Sequence, residues 1–222
     1  MISKTPFSVS PELLSQAIDS LALTDFRLTL NKPTGEFFYD PWEIKDEFKN
    51  TVWDTILKTI PGNIGEARLI KLEPSESYYS HADIDDRWHL NLTGNQSYLI
   101  DLDNQIMHPL TPDGYWYYMN ASRIHTASNY GQIPRVQLVV RNLLKRSTDT
   151  DTVKVTIIPA YEQYDYRYTF DRIISPWLNL ACKELIINNF AYKDTTVTFD
   201  LSRQHLEEFK TIVTDNFTVT YG

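Results

Sequence analysis

The chain has 222 residues, 42% hydrophobic and 23% charged, enough for one full domain, or one domain plus a small appendage, and a core that needs no covalent staples. Its net charge of -8 argues against a nucleic-acid binder, which needs a basic face for phosphates; the densest basic cluster is only Arg141, Lys145 and Arg146. One cysteine, Cys182, excludes an internal disulfide, and scarce glycine, with no GxGxxG or GxxxxGK[ST] pattern, argues against a phosphate-cradling loop.

Residues 10–22 read as a helix: Ser10 can cap it, Pro11 takes its first position, and Leu13, Leu14, Ala17, Ile18 and Leu21 recur at helical spacing. Residues 26–30 alternate as a short strand, and Pro33, Gly35 and Pro41 make 31–41 a loop. Phe48, Val52, Ile56 and Ile60 form the stripe of a second helix over 44–60, ended by Pro61-Gly62-Asn63. From Gly65 to Glu73 the period falls to two. Further strands are expected over 87–92, 98–102, 105–110, 115–120 and 135–143, with Thr93-Gly94-Asn95, Asp103-Asn104 and Pro112-Asp113-Gly114 as turns. Many short strands at this spacing predict a sandwich or barrel. The polar stretch 146–152 reads as a linker. Beyond it the pattern predicts a strand over 153–160, a long helix over 170–190, a strand over 195–201, a helix capped by Ser202 and running to 215, and a last strand over 217–221. The expected organisation is a mainly β unit with flanking helices over 1–146 and a small α+β module over 153–222.

Five histidines are present, and three sit at telling places in the strand-rich part. His81 and Asp83 are two apart, so an extended chain points both to one side. His125 follows 44 residues after His81, room for several intervening strands. Two imidazoles and a carboxylate on one face of a metal leave three positions open, the facial arrangement of non-haem Fe(II) oxygenases. Arg135 opens an alternating strand in which Arg135, Gln137 and Val139 share one face and Val136, Leu138 and Val140 the other; its guanidinium suits a carboxylate. Tyr79 shares the face of His81, and Asn129 follows His125 closely; with Gln137 these are candidates for substrate contact or support. His108, before Pro109, reads as an exposed strand end, and His205, beside Glu207 and Glu208, as solvated.

The order HxD, distal His, then Arg ten residues later resembles that of the 2-oxoglutarate-dependent oxygenases. Arg87-Trp88-His89-Leu90-Asn91-Leu92 resembles the R-x-H-x-x-L strand of the aspartyl/asparaginyl β-hydroxylase-like family, and 116–129 resembles that family's segment around its second iron histidine. The resemblance covers roughly residues 64–144. It implies a double-stranded β-helix (cupin-like jelly roll), iron held by His81, Asp83 and His125, and Arg87, His89 and Arg135 at the co-substrate. It also implies hydroxylation by dioxygen coupled to decarboxylation of 2-oxoglutarate to succinate. The chain keeps the carboxylate ligand Asp83, which some members lack; that moves it toward the proline-hydroxylase-like members, so the namesake's peptide substrate does not carry over.

Two other readings fit the sequence: a cupin-type metalloenzyme that does not use 2-oxoglutarate, and a non-catalytic barrel that binds a small acid or a protein. The oxygenase reading expects an amino acid or amino-acid residue, free or in a peptide, as substrate. The C-terminal module is expected to act as a homodimerisation surface, a lid or a cap on the barrel edge. The first residues lack the apolar core of a signal peptide, and no apolar run approaches the ~18 residues of a membrane helix; the expectation is a soluble, cytoplasmic protein with no membrane or nucleic-acid partner.

Overall fold

The structure is a computed structural model describing residues 2–21, 27–159, 170–193, 195–213 and 217–222. In chain order its first half comprises β1 (Ile2–Ser8), α1 (Pro11–Asp19), β2 (Arg27–Thr29), β3 (Asn31–Pro33), β4 (Trp42–Ile44), α2 (Val52–Leu57), β5 (Ile64–Leu72), β6 (Arg87–Thr93), β7 (Ser97–Asp101) and β8 (Ile106–Pro109). There follow β9 (Tyr115–Met119), β10 (His125–Asn129), β11 (Arg135–Asn142), β12 (Thr152–Pro159), α3 (Ser175–Lys183), β13 (Ile187–Lys193), β14 (Thr196–Ser202), α4 (Leu206–Ile212) and β15 (Phe217–Tyr221).

Two facing sheets build the first unit. The larger runs β1-β9-β6-β11-β5-β2 and the smaller β10-β7-β8. Residues 75–81 extend the smaller sheet beyond β10 without forming a regular strand: Tyr78 N–H donates to Ala127, and His81 and His125 exchange both backbone hydrogen bonds. The antiparallel order identifies the jelly roll, a double-stranded β-helix. Period-two alternation sorts the larger sheet's faces. Ala67, Leu69, Leu90, Leu92, Leu138 and Val140 pack outward with α1 and α2 into the main core, while Arg68, His89, Arg135, Gln137 and Val139 face the space between the sheets.

The C-terminal unit is a four-stranded antiparallel sheet, β13-β14-β12-β15, covered by α3 and α4 around Phe199, Phe209, Leu178 and Ile174. Tyr39 of the first unit belongs to this second core, and its hydroxyl accepts from Phe190 N–H at 2.8 Å.

Several local expectations are corrected. The first helix is Pro11–Asp19, with Ser10 Oγ accepting from Leu13 N–H as expected; its expected end at residue 22 and the strand residue 26 lie outside the described residues. The loop over 31–41 contains β3, paired with β4. The expected helix over 44–60 is broken. Ile44 ends a strand, and Asn50 takes the left-handed region at φ 59°, so only Val52–Leu57 is α-helical. Its stripe still packs on the core, because Phe48, Val52, Ile56 and Ile60 all reach it.

The expected helix over 170–190 also ends early. A π-helical turn over Phe170–Ile174 leads into α3, which stops at Lys183; Leu185 and Asn189 have positive φ, and Ile187–Lys193 is a strand. Ile187 and Phe190 therefore belong to a sheet. Ser202 makes no side-chain cap; a 3-10 turn over Arg203–His205 precedes α4. Residues 160, 214 and 215 of the expected elements lie outside the described residues. No helix among the described residues is long and apolar enough to cross a membrane.

Candidate metal centre

The backbone pairing of His81 with His125 brings two imidazoles from separate segments to 4.5 Å between ring centroids. Asp83 reaches the same spot because its N–H donates to Ala121 carbonyl at 2.9 Å, curling the chain back over the sheet edge. One ligand atom from each residue then lies within 4.8 Å of the others; Asp83 is 3.9 Å from His81 Nε2 and 3.7 Å from His125 Nε2. Both Nδ1 atoms face backbone carbonyls, His81 that of Tyr79 at 3.0 Å and His125 that of Arg123 at 2.8 Å. A carbonyl only accepts, so each Nδ1 carries the hydrogen, and in the neutral ring Nε2 presents its lone pair to the centre. Burial pushes the His125 imidazole down to about 4, against the pull of Asp83. Burial alone raises the Asp83 carboxyl, but Arg87 at 2.8 Å, helped by the two imidazoles, holds it well below the usual carboxylate range. Two neutral nitrogens and one carboxylate fit a divalent first-row metal. Among the described residues, His81, Asp83 and His125 are a set that could hold such an ion.

The site opens into a cavity of about 380 Å³ between the two sheets. Along β11, Arg135 is buried at 4% exposure. Its Nη2 donates to Gln137 Oε1, and Gln137 in turn donates to Asn91 Oδ1 at 2.5 Å. Arg135 Nε has no hydrogen-bond partner, and among the described residues no carboxylate lies within ion-pair distance of this guanidinium. Burial lowers its pKa to about 10. His89, on the neighbouring β6, is buried beside Gln137, yet neither ring nitrogen makes a hydrogen bond of good geometry. Burial pushes its imidazole down to about 3, so the ring is neutral.

The chain is similar to several solved structures. One is a cupin domain from Bordetella pertussis Tohama I, 16% identical over 37% of this chain and 84% of that one, TM-score 0.32. Another is a cupin-superfamily sugar phosphate isomerase from Silicibacter pomeroyi, 19% identical over 69% of this chain and 82% of that one, TM-score 0.32. A third is CapF with 3-isopropenyl-tropolone, 12% identical over 57% of this chain and 34% of that one, TM-score 0.32. No family model matches the chain, and no curated protein matches it. The fold rests on the strand order and not on these likenesses.

The remaining sequence candidates divide. Arg87 lines the cavity but its charge is committed: Nη2 pairs with Asp83 at 2.8 Å and Asp85 at 3.0 Å, and Nε donates to the Asp85 carbonyl. It braces Asp83 from behind. Tyr79 stands at the mouth, 48% exposed, its ring 5.1 Å from that of His81. Asn129 does not line the cavity. Fully buried, it donates to the carbonyls of Leu72 and Ile133 and accepts from Ser97 and Gly131, tying β10 to the next turn. His205 pairs with Glu208 far along the chain, on the C-terminal unit.

Sequence reasoning missed the other cations. Arg27, Arg68 and Arg141 also line the cavity. Their signal was present at Arg68 and Arg141, each on the same face of its strand as a cavity residue, but Arg141 reads first as a solvated strand end and Arg68 as the polar side of an alternating strand.

Proposed function

We propose that this protein is a 2-oxoglutarate- and Fe(II)-dependent oxygenase that hydroxylates a small substrate. The observation that carries the reading is Arg135: a buried guanidinium with no carboxylate beside it, in the cavity that holds the two-histidine, one-carboxylate set. A buried cation is costly unless an anion joins it, and the far carboxylate of 2-oxoglutarate is such an anion.

His81, Asp83 and His125 would hold the iron through Nε2 and carboxylate atoms already presented to one point. Ferrous iron in that setting supplies dioxygen activation, coupled to decarboxylation of 2-oxoglutarate to succinate and hydroxylation of a C–H bond. The chain's own residues orient and exclude. Arg87 fixes the Asp83 carboxylate. Gln137, itself anchored on Asn91, aims Arg135 into the cavity. His89 offers neutral ring nitrogens, one able to donate to a co-substrate carboxylate. Leu99, Met119 and Ala127 make an apolar wall that limits water.

The test is succinate formation from 2-oxoglutarate by the purified protein with Fe(II), ascorbate and air, alongside anaerobic binding of 2-oxoglutarate to the Mn(II)-loaded protein. Metal-dependent binding that Arg135→Ala abolishes supports the reading. Metal binding with no 2-oxoglutarate binding would turn it toward a cupin metalloenzyme of another kind.

A further inference from the structure

Among the described residues, the arginines around the cavity outnumber the acids that face them. Glu66, buried, is shared by three guanidiniums: Arg27, Arg68 at 2.8 Å and Arg141 at 3.1 Å. Asp85, also buried, is shared by Arg141 at 2.7 Å and Arg87 at 3.0 Å. Asp83 pairs with Arg87 but belongs to the metal set. With Asp83 given to the metal and Arg135 to the co-substrate, four guanidiniums face two carboxylates. Arg27 is half exposed (46%) and is relieved by water, whereas Arg68 is only 14% exposed. Among the described residues, that leaves close to one buried positive charge uncompensated.

The excess centres on Arg68. A guanidinium has five N–H donors; Arg68 gives one to Glu66 at 2.8 Å, and its buried Nε has no partner. Burial and the neighbouring charges of Arg87 and Arg141 weaken its hold on its proton, down to about 10. Position separates it from the co-substrate. Arg135 opens β11, whereas Arg68 lies on β5 at the level of Val139 near the other end of β11: Arg68 pairs with Val139, which pairs with His89 on β6. Two strand spacings make roughly 10 Å. Arg27 stands one strand further out, on β2 opposite Ile70.

We propose that Arg68, with Arg27 at its outer side, binds a carboxylate of the substrate, so that the substrate is a small acid laid across β11 with its opposite end at the metal set. This rests on the oxygenase reading for the identity of the second occupant, Arg135 being taken by the co-substrate. A single free carboxylate matches the single uncompensated charge, and the guanidinium fork fits its two oxygens.

The experiment is calorimetric titration of the Mn(II)- and 2-oxoglutarate-loaded protein, without oxygen. The probes are free amino acids and short mono- and dicarboxylic acids, each beside its carboxamide, and capped tripeptides carrying Asp or Glu. At least one acid is expected to bind saturably, its carboxamide at least tenfold more weakly. Arg68→Gln is expected to weaken that acid tenfold or more, with an unchanged melting temperature and 2-oxoglutarate affinity within twofold; Arg27→Gln should show a smaller loss. Preference for the tripeptides would support the subsite and identify a peptide side chain as the source. Equal binding of acid and amide, no loss in Arg68→Gln, or no binding by any acid would overturn the proposal. If 2-oxoglutarate itself fails to bind, the oxygenase reading falls separately, and the acid-against-amide comparison on the Mn(II) protein still decides the subsite.

Discussion

Asn179, in the middle of α3, donates its side-chain amide to the backbone carbonyl of Asp83 at 3.0 Å, across 96 residues of chain. It is one of a set of bonds by which the C-terminal unit grips the HxD segment. Ala82 N–H donates to the Asp171 carbonyl at 3.1 Å. Lys183 reaches Asp86 at 2.8 Å. Asp86 also accepts from the Tyr118 hydroxyl at 2.8 Å and Ala121 N–H at 3.1 Å. The Asp83 carbonyl is thus fixed from the second core, while Arg87 and the Ala121 carbonyl fix its carboxylate and N–H.

That arrangement predicts that Asn179→Ala weakens metal binding without emptying the site. Bonds that orient a metal ligand are worth about 10–100-fold in affinity, and a contact to the ligand's backbone belongs at the lower end, about tenfold. Competitive titration of Co(II) or Mn(II) against a chelator measures it. An Asn179→Ala protein that folds and binds metal as wild type does would show that the C-terminal unit merely sits beside the segment.

Arg87 predicts a loss of stability rather than of affinity alone. It is buried, and its removal leaves Asp83 and Asp85 facing each other with only Arg141 between their charges. Breaking a buried pair costs about 3–5 kcal/mol, so Arg87→Met should lower the metal-free protein's unfolding free energy by about 3 kcal/mol in urea. A change under about 1 kcal/mol would mean that Arg141 alone carries the cluster.

His89 predicts the pH dependence. Its folded pKa, about 3, is depressed by burial from 6.5, so between those values the unfolded chain binds the extra proton. Stability from this group is therefore complete above about pH 6.5 and falls as the pH drops toward 3, by at most about 1.4 kcal/mol per unit. Glu66 acts in a different window: its folded pKa, about 2, lies below 4.5, so its contribution is present above 4.5 and is lost only below that. Denaturation of metal-free protein at pH 7 and pH 5 should show the loss, and His89→Gln should flatten it. An equal slope in His89→Gln would assign the dependence to His125 and other groups.

How much was legible depended on what set each element. Period-two alternation marked β5, β6, β7, β9 and β11 because one face of each packs on an apolar layer, and it put Arg135 and Gln137 on one face as found. β10 gave no such signal: His125-Thr126-Ala127-Ser128-Asn129 is small and polar, and its strand comes from pairing with β7 and with 75–81. Over 44–60 the apolar stripe is real but the backbone is interrupted at Asn50, a conformation that spacing does not encode. His81, Asp83 and His125 could be gathered by residue type and order. The arginine surplus could not, since it depends on which charges Glu66 and Asp85 share across β5, β11 and the turn before β6.

Asn129 separates scaffold from site. It sits at the opposite end of β10 from His125 and its four side-chain hydrogen bonds go to Leu72, Ile133, Ser97 and Gly131, none of them a cavity residue. Asn129→Ala leaves the buried Leu72 carbonyl and Gly131 N–H unpaired, at about 1–3 kcal/mol each when no water replaces the bond, so the expected destabilisation is about 2–4 kcal/mol. Well below its melting temperature the same variant should bind Mn(II) within about threefold of wild type, because β10 remains held along its length by β7. Urea denaturation and metal titration on one preparation measure both. A loss of metal binding larger than tenfold in a folded Asn129→Ala protein would mean that this turn positions His125 after all, and that the site is mechanically coupled to the far end of its strand.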